Sequence, residues 1–223
     1  PTLMCSVPRF WEKVYAGVQE KIAETTGIKK ALMLDAIRVG KIHNIDYLRK
    51  GKTPPLMLHL KYQFYEKTVY SLLKKTIGIE NGNFFPTAGA AVPDEICEFV
   101  HSVGINMLVG YGLTESTATV SCFQNSGYEI GSVGTVMPDV EVKIGENNEI
   151  LLRGKTITKG YYKKAEATAE AIDKEGWFHT GDAGYLNGDC LYLTERIKDL
   201  FKTSNVGDKV SHRSLYRPDC DYR

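Results

Sequence analysis

No apolar run in the 223 residues approaches the roughly 20 that a membrane helix needs. The five cysteines, Cys5, Cys97, Cys122, Cys190 and Cys220, are widely spaced and form no CxxC pair. That removes zinc-ribbon and thioredoxin-like readings. Their odd number fits reduced thiols in a cytoplasmic setting better than a disulfide framework. Charge of one sign is also lacking: 28 basic and 27 acidic residues leave a net charge of +1, with no long block of either sign. A nucleic-acid partner, which would call for a basic stripe, is therefore not expected. The opening PTLMCSVPRF has no basic stretch leading into an apolar one and so does not read as a signal peptide. Gly51-Lys52-Thr53 and Gly154-Lys155-Thr156 resemble the end of a P-loop. The glycine required five residues earlier is replaced by Asp46 and Glu149, so neither qualifies.

What is present is ordinary globular composition, 43% hydrophobic and 25% charged. In SVPRFWEKVYAGVQEKIAETTG, Phe10, Val14, Val18 and Ile22 recur at helical spacing, with Ser6 and Pro8 suited to the start and Gly27 to the end. Further helices are predicted from about Lys29 to Val39 and from about Leu56 to Thr76. NFFPTA reads as a short strand, PDEICEFVHSVG as a helix ending at Gly104, and INMLVGYG as a buried strand. Strand, helix, strand in this order predicts a parallel βαβ unit within an α/β subdomain over residues 1–125. Beyond it, VEVKI-GENN-EILLRG and AGYLNGDCLYLTE read as hairpins, with one short helix from about Ala165 to Ile172. Residues 126–195 are thus expected to form a small antiparallel, barrel-like subdomain.

Ligands of α/β sheets bind beyond the carboxyl ends of strands. TAGAAV and GYGLTES each follow a predicted strand, so they should lie side by side at one sheet edge. Ala88, Gly89 and Ala90 let backbone approach a flat ligand closely. Tyr111 offers a ring face, Thr114 a hydroxyl for a phosphate, and Glu115 a carboxylate of the kind that holds Mg²⁺ beside phosphates. The same residues also suit a packed aromatic in a turn and a helix start. Asp182 and Arg196 suit a ribose and its neighbouring phosphate, or equally a hairpin with a capping aspartate and a surface arginine.

Several segments together narrow the choice. YGLTES resembles the adenine and Mg²⁺ motif of the adenylate-forming superfamily of acyl-CoA synthetases, non-ribosomal peptide adenylation domains and luciferases. EILLRGKTITKGYYKKAEATAEAI resembles that superfamily's "RG…GYY…PEAT" segment. GWFHTGDAGYL and LTERIKDLFKTS resemble its ribose motif and interdomain hinge. CSVPRFWEKVYAG and FFPTAGAAVPDEICEFVHSVGIN are similar to the long-chain fatty acid–CoA ligase branch.

The resemblance implies a fold, the late part of a truncated adenylate-forming N-terminal domain, and a set of roles. Ala88, Gly89 and Ala90 would contact adenine through backbone, although the family pattern there is usually Gly-Gly-Ala-Pro. Tyr111, followed by Gly112, would stack on adenine. Thr114 would bind phosphate and Glu115 would ligate Mg²⁺, the two forming the catalytic pair. Asp182 would bind ribose. Arg196 would open a hinge over 196–205, with Lys198 or Asp199 at its pivot. The implied substrates are ATP with Mg²⁺, a fatty acid, and coenzyme A. The alternatives are an acyl-AMP ligase serving a carrier protein and a non-catalytic nucleotide-binding piece.

The family's Ser/Thr/Gly-rich phosphate loop and its C-terminal catalytic lysine have no counterpart in the 223 residues. The chain also lacks an initiator Met. It is therefore expected to be a piece that works with the remaining parts of its own full-length chain, that self-associates through faces they would cover, or that touches a membrane peripherally. Residues 206–223 resemble nothing in the family and are expected to be disordered or frame-shifted. One choice of codons for SLYRPDCDYR, read one base later, gives Arg-Tyr-Ile-Asp-Gln-Ile-Ala-Ile-Ile, which is similar to the family at that place.

Overall fold

Pro8 opens the first helix, α1 (Pro8–Glu24), where its missing N–H costs nothing. The computed structural model describes residues 1–197, and the expected pivot residues Lys198 and Asp199 and the atypical tail lie outside them. The apolar stripe of α1 turns Trp11 and Ile22 into the interior. The helix ends at Glu24, and Gly27 opens α2 (Gly27–Gly40), which runs on as a π-helical stretch, Lys41–Leu48. The long helix expected after Leu56 is real but subdivided. It consists of α3 (Leu56–Tyr65), a π-helical turn (Glu66–Tyr70) and α4 (Ser71–Ile77). Tyr70 is fully buried at that turn and donates its hydroxyl to the Ala36 carbonyl, at 2.6 Å, which ties the second helical arm to the first.

The βαβ unit is as the sequence predicts. β1 (Phe85–Thr87) and β2 (Met107–Tyr111) are parallel neighbours with Thr87 opposite Val109, joined through α5 (Asp94–Ser102). Residues near the N-terminus add to its edge, since Leu3 and Ser6 bridge in parallel to Phe84 and Thr87. Two very short strands, β3 (Ser121–Cys122) and β4 (Thr135–Val136), then carry the sheet onward. The predicted hairpins follow as β5 (Val140–Ile144) with β6 (Glu149–Gly154), and β7 (Phe178–Asn187) with β8 (Cys190–Arg196). The short helix α6 (Ala165–Ala171) lies between them.

Among the described residues these strands make one mixed eight-stranded sheet, in the order β1-β2-β3-β4-β8-β7-β6-β5, which runs across position 125. β2 and β7 are four strand spacings apart along it, each about 4.8 Å, yet Tyr111 and Asp182 on these strands are hydrogen-bonded at 2.7 Å. The sheet must therefore curl so that its parallel and antiparallel parts face one another. One buried core runs through both parts and includes Trp11, Phe85, Val100, Met107, Ile150, Leu152 and Leu191.

His101 gives this core a pH dependence. Its ring stacks 4.5 Å from Tyr128, and its Nε2 has no hydrogen-bond partner among the described residues. Burial pushes the imidazole down to about 4 from its ordinary value of 6.5. Between those values the unfolded chain binds the proton and the folded chain does not. The stability held above pH 6.5 is therefore lost as pH falls toward 4, by roughly 3 kcal/mol. Urea midpoints measured from pH 7.5 to 4 should fall for the parent and flatten for His101→Phe. An equal fall in both would place the acid sensitivity elsewhere.

Candidate active site

β2 delivers Tyr111 to the carboxyl end of the parallel pair, and the chain then turns sharply. A Cβ on Gly112 would lie 2.0 Å from the Ala118 carbonyl oxygen, so only glycine lets the two limbs of this loop pass. Within it, Thr114–Ser116 form one tight helical turn. Ser116, fully buried, accepts from the Leu113 N–H at 2.9 Å and donates to the Leu113 carbonyl at 3.0 Å. Thr117 and Ala118 follow with φ of 54° and 74°, a left-handed pair without glycine. Such conformations cost of order 1–2 kcal/mol each and persist where the surroundings impose them.

The surroundings here are the loop after β6. The Thr158 N–H donates to the Glu115 carbonyl at 2.7 Å, and the Thr117 hydroxyl donates to the Thr156 carbonyl at 2.7 Å. The Tyr161 hydroxyl donates to Glu115 Oε1 at 2.9 Å. That bond to the carboxylate is the main reason the Tyr161 hydroxyl is harder to ionise than usual. The turn holding Thr114 and Glu115 is therefore clamped from a segment some 40 residues on. Thr114 is exposed and Glu115 half-buried. The role of Tyr161 as partner of Glu115 was not legible in the sequence beyond its place in the GYY segment.

Asp182 sits at a bulge in β7, opposite Arg196 on β8. It is buried, at 8% exposure, and both carboxylate oxygens are engaged. Tyr111 donates to Oδ2 at 2.7 Å, and Arg196 Nε donates to Oδ1 at 3.2 Å. Burial first, and the neighbouring Asp182 charge second, push the Tyr111 hydroxyl far up. Tyr111 thus stays a phenol and a donor through the whole physiological range. The Asp182 N–H is held in turn by Thr180 Oγ1 at 3.1 Å, and that hydroxyl donates to the Ile150 carbonyl at 2.7 Å. Tyr111 is itself packed, at 7% exposure, so its ring is a wall of the site rather than a free surface.

Ala88, Gly89 and Ala90 leave β1 beside Tyr111 by virtue of the parallel register, and all three are exposed. Gly89 has φ of +93°, with nothing within 4 Å of where a Cβ would be. The structure thus brings together, around the ends of β1 and β2, an open backbone ledge, the Thr114–Glu115 turn, and the Tyr111–Asp182–Arg196 chain. Among the described residues no group of three or more His, Cys, Asp or Glu could cage a metal by itself.

Residues 1–162 match the AMP-binding enzyme family, and the chain belongs to it. It is 32% identical to the long-chain-fatty-acid–CoA ligase ACSBG2 of Homo sapiens over 217 residues, 94% of this chain and 32% of that protein. It is 31% identical to the peroxisomal long chain acyl-CoA synthetase 7 of Arabidopsis thaliana, over 91% of this chain and 29% of that protein. The chain thus spans about a third of the length of the curated relatives it matches. The fold is similar to part of the unliganded O-succinylbenzoate coenzyme A synthetase of Bacillus subtilis, with a TM-score of 0.52 at 18% identity, covering 86% of this chain and 31% of that one. Among the described residues no helix is long and apolar enough to cross a membrane.

Proposed function

We propose that the chain supplies the adenine, ribose and Mg²⁺ side of the nucleotide site in a cytoplasmic long-chain fatty acid–CoA ligase. The reaction is MgATP-dependent adenylation of a carboxylate, followed by transfer of the acyl group to coenzyme A. The single observation carrying this reading is the hydrogen bond between Tyr111 and Asp182, 71 residues apart, which unites the two motifs the nucleotide would need. Ala88–Ala90 would present backbone to adenine, and Tyr111 would wall its ring. Asp182 would accept from ribose hydroxyls through lone pairs not taken by Tyr111 and Arg196, since a carboxylate accepts about four hydrogen bonds. Residues 196–205 would be the hinge.

The Mg²⁺ role fits the donor set. Glu115 commits Oε1 to Tyr161, and Oε2 has no partner among the described residues. One free carboxylate oxygen beside a hydroxyl is what Mg²⁺ arriving with phosphates uses, because that ion keeps several waters and takes one or two carboxylates. When bound it would neutralise charge on the phosphates. Thr114, exposed beside it, would orient a phosphate oxygen.

Calorimetric titration with MgATP tests the assignment. Asp182→Ala should weaken nucleotide binding by about 1.5–3 kcal/mol, the loss of a hydrogen bond to a charged group. Asp189→Ala, at the hairpin turn, should leave it unchanged. Equal effects would remove Asp182 from the site.

By the resemblance set out above, the family's phosphate loop and catalytic lysine have no counterpart in the chain. Each donor to a reacting phosphoryl or acyl group is worth roughly 10²–10³ in rate. The chain alone is therefore expected to release no pyrophosphate in response to short or long fatty acids, beyond a Glu115→Ala control. Acid-dependent release above that control would make it a complete catalyst.

A further inference from the structure

Glu115 is gripped at both ends by one loop. Its carbonyl accepts from the Thr158 N–H at 2.7 Å, and its carboxylate Oε1 accepts from the Tyr161 hydroxyl at 2.9 Å. The first hold fixes where the residue stands, and the second fixes which oxygen it shows. Oε2 takes no hydrogen bond among the described residues. Glu115 is only half-buried and Thr114 beside it is exposed, so the turn is open to an ion from solvent.

The backbone that carries Tyr161 is itself well held. Thr158 Oγ1 accepts from the Gly160 N–H and donates to the Gly160 carbonyl, each at 3.2 Å. Gly160 has φ of +137°, and a Cβ there would lie 2.5 Å from Thr168 Cγ2 and 2.9 Å from Thr168 Oγ1. Glycine therefore lets the chain pass close enough for the Tyr161 N–H to donate to Thr168 Oγ1 at 2.9 Å, and that hydroxyl donates on to the Lys164 carbonyl at 2.8 Å. The Lys164 N–H in turn donates to the Tyr161 carbonyl at 3.1 Å. Both backbone groups of Tyr161 are thus engaged, and its ring leaves from a fixed point toward Glu115.

An oxygen that accepts a phenol's proton gives up part of the charge a cation would use, and the ring takes up space on its side of the carboxylate. Glu115 is left to meet a cation with one oxygen. Mg²⁺ suits that arrangement, since it binds at about 2.0–2.1 Å in a near-octahedral shell that keeps several waters. Ca²⁺ gathers about six to eight oxygens at longer distances, and often takes both oxygens of one carboxylate.

Resting on the nucleotide reading above, we propose that Tyr161 sets the metal specificity of this site: its hydroxyl reserves Oε1, so that Glu115 presents a single oxygen and favours Mg²⁺ over Ca²⁺. Tyr161 is a positioning residue, acting through Glu115. The test is ATP titration of the 223-residue chain without metal, with Mg²⁺ and with Ca²⁺. In the parent, Mg²⁺ should tighten ATP more than Ca²⁺ does. Tyr161→Phe keeps the ring and loses only the hydroxyl. It should leave metal-free ATP unchanged, lower the Mg²⁺ gain about tenfold and spare the Ca²⁺ gain, so that the preference narrows or reverses. Tyr162→Phe, one residue on and 86% exposed, should behave as the parent. Glu115→Gln should lose both metal gains. If it does, and Tyr161→Phe keeps the parent's preference for Mg²⁺, the inference is overturned while the nucleotide reading stands. Equal weakening of ATP by Tyr161→Phe under all three conditions would overturn it as well, by making the hydroxyl merely structural. Metal gains that are absent from the parent, or that survive Glu115→Gln, would sink the nucleotide reading and this inference with it.

Discussion

Trp11→Ala should lower the unfolding free energy by about 3–5 kcal/mol, the usual cost of emptying a buried aromatic site. Trp11 is 0% exposed and meets Phe85 edge-on at 5.9 Å between ring centroids. Its Nε1 donates to both Ser6 Oγ and Thr87 Oγ1, each at 2.9 Å. The substitution therefore opens a cavity and strips the donor from two hydroxyls, one of them, on Thr87, fully buried. The consequence reaches the site, because Thr87 is the last residue of β1 before Ala88–Ala90 leave the sheet. Trp11→Phe keeps most of the volume and loses the N–H, so it should recover more than half of the loss. Denaturant midpoints at constant slope give the comparison. A change below about 1 kcal/mol for Trp11→Ala would mean that α1 and the N-terminal bridge are not anchored through this residue.

Gly112→Ala should cost about 3 kcal/mol or displace the loop, the upper end of what overpacking usually does. Its Cβ would stand 2.0 Å from the Ala118 oxygen, 2.5 Å from that carbonyl carbon and 2.8 Å from the Thr119 nitrogen. All three are backbone atoms, held by the Ala118 N–H to Leu113 and Val120 N–H to Tyr111 hydrogen bonds, so no side chain can swing aside. Relief requires moving the turn that carries Thr114 and Glu115. Gly89→Ala is the contrast. Gly89 has positive φ but open space around it, so only the conformational cost of about 1–2 kcal/mol applies. Thermal unfolding together with MgATP titration separates the two. A Gly112→Ala protein as stable and as competent as the parent would show that the loop passes Ala118 by another route.

The periodic parts of this fold were legible in the sequence for simple reasons. The Phe10, Val14, Val18, Ile22 stripe keeps helical spacing across all its positions, and MLVGY is a short continuous apolar run, buried along nearly its whole length. β3 and β4 did not, because two residues have no period, and their pairing is fixed by the neighbouring strands. The N-terminal bridge through Leu3 and Ser6 was hidden for the same reason. The break of one helical pattern into α3, a π-helical turn and α4 was equally invisible. Its apolar positions keep helical spacing, and what decides the turn is the burial of Tyr70 against α2. At the site, residue types and their order gave the segments. They could not give the Tyr161–Glu115 bond, or the fact that Tyr111 spends its hydroxyl on Asp182, since both depend on how far the sheet curls.

That curl resembles a barrel stave assembly whose seam is closed by side chains. Between β2 and β7 the join includes the Tyr111 phenol and the Asp182 carboxylate, with an arginine at the outer end. A hydroxyl arriving at Asp182 would share the carboxylate with the two donors that fasten this seam. If seam closure changes the affinity of Asp182 for a hydroxyl, occupancy of the carboxylate and closure of the seam are linked, and linkage is reciprocal. A segment that tightened the seam from outside would then change affinity at Asp182 by the same factor by which a ligand there changes the hold of that segment.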